Sequence, residues 1–263
     1  MSARFDDPGV GDPGFADHFS AVAAQYAQAR PEYPDALFAW IESIVLVHGL
    51  AWEPGCGSGQ ATRDLARVFD HVHATDPSAA QIAQAMGPQN VRFSVEPGEA
   101  TTLADGTADA VCIAQALHWF DQPRFFAECA RVLKPGGVLV AWGYQDMIAP
   151  EGVEQAIDPL RAEILDYWPP ERRLIDEAYR DFAWPFDWIE TPVLELQAQW
   201  TLPRMLGYFS SYSATKRYID AHGRDPVAMH AQAIARAWGD PDTTRTLRWP
   251  MFVHARRKQT RES

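Results

Sequence analysis

The chain has 263 residues, 47% of them hydrophobic, which is enough for one sizeable core with additions, or at most two domains. A formal net charge of −12 argues against a nucleic-acid partner, whose phosphates need a basic face; the one basic cluster, Arg256-Arg257-Lys258, reads as a solvated tail. The three cysteines, Cys56, Cys112 and Cys129, are far apart and odd in number, which points to a reduced, cytosolic protein with no disulfide framework and no zinc site, and no apolar run is long enough to span a membrane.

In chain order, residues 1–14 (MSARFDDPGVGDPG) are acidic and rich in Gly and Pro, so they read as disordered and not as a secretory leader. Residues 15–30 have helical composition. Pro31 and Pro34 break that pattern, and a second helix over 35–48 starts after Pro34. Strand-like and helix-like segments then alternate. GLAWE is a strand, 60–69 a helix, HVHAT (71–75) a strand, and 78–86 a helix with Ser78 near its start. VRFSVE (91–96) and DAVCIA (109–114) are strands. Helix 123–133 ends at Lys134-Pro135-Gly136-Gly137, and VLVAW (138–142) is the next strand. This alternation implies βαβ units and a parallel sheet. The second half is different: 151–190 reads as helical with proline breaks, 193–202 as a strand, 203–238 as helical with a break at Gly223–Pro226, and 246–257 as a last strand. Pro250 in that last strand implies an edge or a bulge. No internal repeat is present.

The informative stretch is Glu53-Pro54-Gly55-Cys56-Gly57-Ser58-Gly59-Gln60, a glycine-rich turn between a strand and a helix. A phosphate-binding P-loop needs Lys-Ser/Thr after the last glycine, and Gln60-Ala61 stands there. A dinucleotide fingerprint needs its third glycine three places after the second, and position 60 is Gln. An acid does end the next strand: Asp76 lies 76 − 55 = 21 residues after Gly55, the spacing at which a carboxylate holds a ribose diol. The turn therefore fits a nucleoside ligand without requiring a pyrophosphate.

On these residues the sequence resembles the class I S-adenosylmethionine-dependent methyltransferases. EPGCGSG is similar to their first motif and HATDPS to their second strand with its ribose acid. VEPGEATTLADGTADAV resembles their G-[DE]-A segment and the strand that follows it. AQALHWFDQP resembles the fourth-strand exit, and RVLKPGGVLV the turn into the fifth strand. SAVAAQYAQARPEYP resembles the N-terminal lid of a subgroup related to trans-aconitate methyltransferase. The likeness is dense over 20–142 and vague from 143 on.

The resemblance implies an α/β, Rossmann-like, seven-stranded mixed sheet. Five strands are parallel, a late pair is antiparallel, and helices cover both faces. It implies an N-terminal helical lid over 15–48 and a methyltransferase domain over 49–263, with a helical substrate-recognition insert at 151–190 before the sixth strand. The cofactor would be S-adenosylmethionine, leaving as S-adenosylhomocysteine, with no metal.

It also assigns roles. Gly55, Gly57 and Gly59 would hold the methionine part, or serve only as a turn. Glu53 would lie near the amino group, or fix the loop. Asp76 would accept from the ribose hydroxyls, or cap the next helix, and Glu99 and Ala100 would read adenine. Gln115 and His118 would face the transferring methyl, with His118 as a base, a positioning group or a packed histidine. Tyr26 and Arg30 on the lid would touch the cofactor. Trp119, Tyr33, Tyr208 and Tyr212 would line the substrate pocket or belong to the core. The expected reaction is in-line transfer to a small-molecule acceptor, at oxygen (hydroxyl or carboxylate), by a cytoplasmic monomer or weak homodimer. Methylation at N, S or C, a nicotinamide-dependent oxidoreductase and a non-catalytic binding protein are the alternatives.

Overall fold

The structure is a computed structural model that describes residues 30–260. The expected disordered stretch 1–14, the helix at 15–29 and Tyr26 lie outside the described residues. The chain divides into two compact units, a sheet unit and a helical unit.

The sheet unit comprises Glu32–Asp146, Glu171–Leu196 and the residues from Trp249 on. Its strands in chain order are β1 (Leu50–Pro54), β2 (His71–Asp76), β3 (Val91–Val95), β4 (Ala108–Ala114) and β5 (Leu133–Tyr144). After them come β6 (Asp187–Ile189), β7 (Glu195–Trp200) and β8 (Arg245–Arg257), of which residues 197–200 of β7 and 245–248 of β8 belong to the helical unit. The sheet has eight strands in the order β3-β2-β1-β4-β5-β8-β6, with β7 also on β8. Strands β1 to β5 pair in parallel, and β8 runs antiparallel to both β5 and β6.

The central position of β4 follows from its sequence. ADAVCIA is an unbroken apolar run after its first turn, buried through Ile113, as expected of a strand covered on both faces. Asp109 at its start is buried but fully engaged: Oδ1 accepts from Lys134 Nζ (2.7 Å) and Oδ2 from the Leu50 N–H (2.9 Å). The helix before β5, α4 (Gln122–Val132), starts at Asp121, whose side chain accepts from the Arg124 N–H, with Pro123 in the first turn. It buries Phe125, Phe126, Cys129 and Val132, a stripe at helical spacing. Helices α1 (Asp35–Ile44), α2 (Thr62–Val68) and α3 (Ala79–Ile82) are shorter than expected, with α3 capped by Ser78.

Two expectations are corrected here, and one is met. Lys134-Pro135-Gly136-Gly137 is not a connection between helix and strand. β5 begins at Leu133 and carries these residues as an irregularity, its register to β4 shifting between Ala108 and Ala110. Gly137 is needed because a Cβ there would lie 3.0 Å from the Lys134 carbonyl oxygen. Asp187–Ile189 is a short strand on β8, although the stretch 151–190 reads as helical. The bulge expected at Pro250 is present within an interior strand: β5 pairs Tyr144 with Met251, and the next pair is Ile148↔Arg248, so three residues face two across Pro250. The proline sits just beyond the last β5 pair, Tyr144↔Met251, and its carbonyl still accepts from the Gln145 N–H (2.9 Å).

The helical unit includes Met147–Pro170 and Gln197–Arg248. It contains α5 (Glu151–Ile164), α7 (Leu202–Ser210), α8 (Ser213–His222) and α9 (Pro226–Trp238), while α6 (Arg172–Asp176) belongs to the sheet unit. Helix α9 packs on α5 through Val227, Ala231, Ile234 and Trp238 on one side and Val153, Ile157, Leu160 and Ile164 on the other. The break expected at Gly223–Pro226 is the α8–α9 corner, where Gly223 takes a left-handed conformation and Asp225 caps α9. Among the described residues no helix is long and apolar enough to cross a membrane.

Candidate active site

The carboxyl ends of β1, β2 and β4 meet along one edge of the sheet, the edge where open α/β sheets bind ligands. The glycine turn leaves β1 there. Gly55, Gly57 and Gly59 have φ of 71°, 56° and 92°, a left-handed region costly for any residue with a Cβ. Among the described residues a Cβ on Gly57 would meet nothing within 4 Å, so they leave this backbone open to a ligand. A Cβ on Gly55 would fall 2.6 Å from Ala116 Cβ, so this glycine serves packing.

Asp76, at the end of β2, ties the turn down. Its Oδ2 accepts from the Gly57 N–H (3.0 Å) and its Oδ1 from the Ser78 N–H (2.8 Å). The helix cap itself is Ser78, whose hydroxyl accepts from the Gln81 N–H. Each Asp76 oxygen thus keeps acceptor capacity for further donors.

Glu53 lies inside the turn, 1% exposed, and Thr62 at the start of α2 is fully buried. Among the described residues, neither carboxylate oxygen of Glu53 nor the Thr62 hydroxyl has a hydrogen-bond partner. Burial pushes the Glu53 carboxyl up to about 8. The nearby Thr62 hydroxyl opposes that rise, although no hydrogen bond of normal geometry joins the two. An acid left without partners in a dry site is suited to a cationic ligand group. Cys56 is a buried thiol pushed up by burial and by Glu53 and Asp76, hence no nucleophile.

Glu99 and Ala100 are both at this edge but partly committed. Glu99 Oε1 accepts from the Asp121 N–H (2.8 Å), and the Ala100 N–H makes a long turn bond to the Pro97 carbonyl (3.3 Å). Phe120, beside Asp121, is wedged against the preceding glycine: a Cβ on Gly98 would lie 2.8 Å from its ring.

Gln115 and His118 follow the fourth strand. Gln115 has φ 51° and spends its amide on the backbone of β5, with Nε2 donating to the Tyr144 carbonyl (3.1 Å) and Oε1 accepting from the Tyr144 N–H (2.8 Å). These two bonds brace the β4–β5 junction. His118 is 7% exposed, with Nδ1 2.9 Å from the Tyr179 hydroxyl. Burial, reinforced by the Arg172 guanidinium, holds its imidazole down at about 4, so it is neutral at pH 7 and a weak base. Arg172 is itself held by Asp146 (3.2 Å) and Asp176 (2.8 Å). In this structure His118 has the geometry of a packed, hydrogen-bonded histidine.

The expected pocket residues separate by unit. In the sheet unit, Trp119 is exposed, and Tyr33 is half-buried with its ring edge-on to Trp142 (5.8 Å). Arg30 is exposed. In the helical unit, Tyr208 is buried against Trp200 (5.3 Å) and Tyr212 packs on Trp168 (5.0 Å), so these two belong to that unit's own aromatic core. Thr62, Tyr179 and Arg172 were not foreseen. Only Thr62 carried a signal, its place at the first turn of the helix after the glycines.

Comparison with known proteins agrees with this geometry. A family model described as a methyltransferase domain matches residues 52–141. A Dictyostelium discoideum protein named as a candidate methyltransferase is 32% identical over 260 residues, 93% of this chain and 96% of its own. A solved structure from Anaeromyxobacter dehalogenans, described as a candidate type II methyltransferase, superposes with a TM-score of 0.83 at 39% identity. That match covers 88% of this chain and 99% of the other. An uncharacterized methyltransferase of Mycobacterium tuberculosis is 34% identical over 131 residues, 53% of its length.

Proposed function

This chain belongs to the class I S-adenosylmethionine-dependent methyltransferases, and from that premise we propose that its acceptor is a small molecule methylated at oxygen, with a carboxylate favoured over a hydroxyl. The observation that carries this reading is the state of His118. A neutral, buried imidazole of low basicity, already bonded to Tyr179, is poorly suited to take a proton from an alcohol or an ammonium. A carboxylate acceptor has no proton to lose.

The residues present fit the methyl donor. Among the described residues Glu53 is a buried acid lacking a partner, and the Gly57 backbone is left open. When bound, S-adenosylmethionine supplies a methyl group already activated on a sulfonium. Glu53 then offers its carboxylate to the ammonium of the methionine part. The lone pairs that Asp76 keeps beyond the Gly57 and Ser78 N–H groups accept from the ribose hydroxyls. Glu99, anchored through one oxygen, offers the other to the exocyclic amine of adenine. Gln115 holds the β4 exit at a fixed height over β5. An in-line displacement asks the protein for alignment and exclusion of water, and these residues are built for it.

The test is turnover of S-adenosylmethionine with matched small carboxylic acids, alcohols and amines across pH 6–9. The proposal expects ester formation at a rate that shows no limb near neutrality. Turnover restricted to amines, with a rate rising through pH 7, would contradict it.

A further inference from the structure

Glu53 has a property that cofactor binding alone does not require. Both its oxygens and the Thr62 hydroxyl sit at the two ends of the glycine turn, buried and, among the described residues, without hydrogen bonds. Among the described residues no cation contributes to the state of Glu53. The titratable groups that feel Glu53 are Cys56 of the turn and Cys112 of β4, both thiols raised by burial and by Glu53 itself. Asp76 acts on the same Cys56 thiol from β2. None of these neighbours can neutralise a carboxylate. A dry site with no counter-charge keeps an acid protonated, and arrival of a fixed positive charge reverses that preference.

We propose that Glu53 recognises the ammonium end of the bound nucleoside by giving up its own proton to solvent, so that binding at the glycine turn is coupled to proton release near neutral pH. The carboxyl O–H becomes a carboxylate, the ligand ammonium keeps its charge, and the proton passes to buffer. Without a ligand, burial holds the group at about 8, so at pH 7 it is mainly protonated, and pairing with the ammonium brings it into the ionised form. Two consequences follow. Affinity for an ammonium-bearing ligand rises by up to about tenfold per pH unit from pH 6 towards 8 and then flattens. A nucleoside lacking the amino-acid end gains none of this.

The inference rests on the cofactor reading above, and the experiment separates the two. S-Adenosylhomocysteine is titrated calorimetrically into the full chain at pH 7 in phosphate and in Tris, buffers with very different ionisation enthalpies. 5′-Methylthioadenosine, the same nucleoside and sulfur without the amino acid, is the comparison ligand. The expected result is release of about 0.9 proton per S-adenosylhomocysteine and close to none for 5′-methylthioadenosine. Glu53→Gln, checked for folding by circular dichroism, should bind S-adenosylhomocysteine more weakly and release no proton. Binding by the wild type with heats that do not depend on buffer overturns the coupling and leaves the cofactor reading intact. So does equal release by the two ligands, an arm that needs no variant. Failure of both nucleosides to bind overturns the cofactor reading itself.

Discussion

Glu53 and Glu96 stand at the carboxyl ends of two parallel strands of one sheet, β1 and β3, and both are buried, at 1% and 7% exposure. Their surroundings are opposite. Glu96 Oε2 accepts from the Thr101 hydroxyl (2.7 Å) and the Thr102 N–H (3.0 Å), and lies 3.2 Å from His73 Nε2; Oε1 accepts from the Thr102 hydroxyl (2.8 Å). Burial alone would raise its carboxyl, but these donors, with the Ser94 hydroxyl, outweigh burial and hold it down at about 2. Glu53 has no hydrogen bond of normal geometry, the nearby Thr62 hydroxyl opposes burial only weakly, and the carboxyl is pushed up to about 8. A buried charge already satisfied within the fold is structural. One left unsatisfied at a ligand-binding edge is held for a ligand.

The contrast is sharpened most by Glu96→Ala. It strands the donors of Thr101, Thr102 and His73, and should cost roughly 3–5 kcal/mol in urea unfolding, the range for breaking a buried charged network. The acid side follows by sign. A folded-state value below the unfolded one gives stability that is present above about 4.5 and lost as pH falls towards 2. A cost below 1 kcal/mol would dissolve the comparison.

Glu53→Gln should do the reverse. The wild-type folded value lies above the unfolded one, so its contribution is full below about 4.5 and lost as pH rises through about 8. The ligand-free variant should therefore gain on the wild type from pH 5 to 8.5, by on the order of a few kcal/mol at roughly 1.4 kcal/mol per unit. A variant that is less stable at pH 8.5 would show that Glu53 has a structural partner.

Next in size is Asp76→Ala, expected to weaken S-adenosylhomocysteine binding by roughly 1–3 kcal/mol in calorimetry, because charge-assisted bonds are lost. Unchanged affinity would confine Asp76 to bracing Gly57 and Ser78. The smallest effect is expected for His118→Gln, where an amide can keep the bond to Tyr179. Turnover should stay within a few-fold and stability within about 1 kcal/mol. A hundredfold fall in turnover with loss of a neutral pH limb would restore the general base.

The difference between the two acids also marks what could be read from sequence. Glu53, the three glycines and Asp76 lie in one strand–turn–helix–strand stretch, so spacing alone places them together. The network on Glu96 joins β2, β3 and the Thr101-Thr102 loop, and no local pattern announces that His73 faces it. Gln115 stands where the motif demands, yet its left-handed φ turns its amide onto Tyr144, a choice made by the neighbouring strand. The three-residue β6 is too short to show an alternation, and Lys134-Pro135-Gly136-Gly137 looks like a stop until β4 is present to pair with it. In the second half, aromatic residues such as Trp200, Tyr208 and Tyr212 read equally as pocket or core, and the fold of the helical unit makes them core.

The most direct test is a pH titration of side-chain carboxyl carbons by nuclear magnetic resonance in the protein with labelled glutamate, with and without S-adenosylhomocysteine. Glu53, assigned through Glu53→Gln, should titrate near 8 in the free protein and be ionised throughout pH 6–9 in the complex, while Glu96 stays ionised in both. A Glu53 already ionised at pH 6 without ligand, or a midpoint that the ligand does not move, would contradict the account.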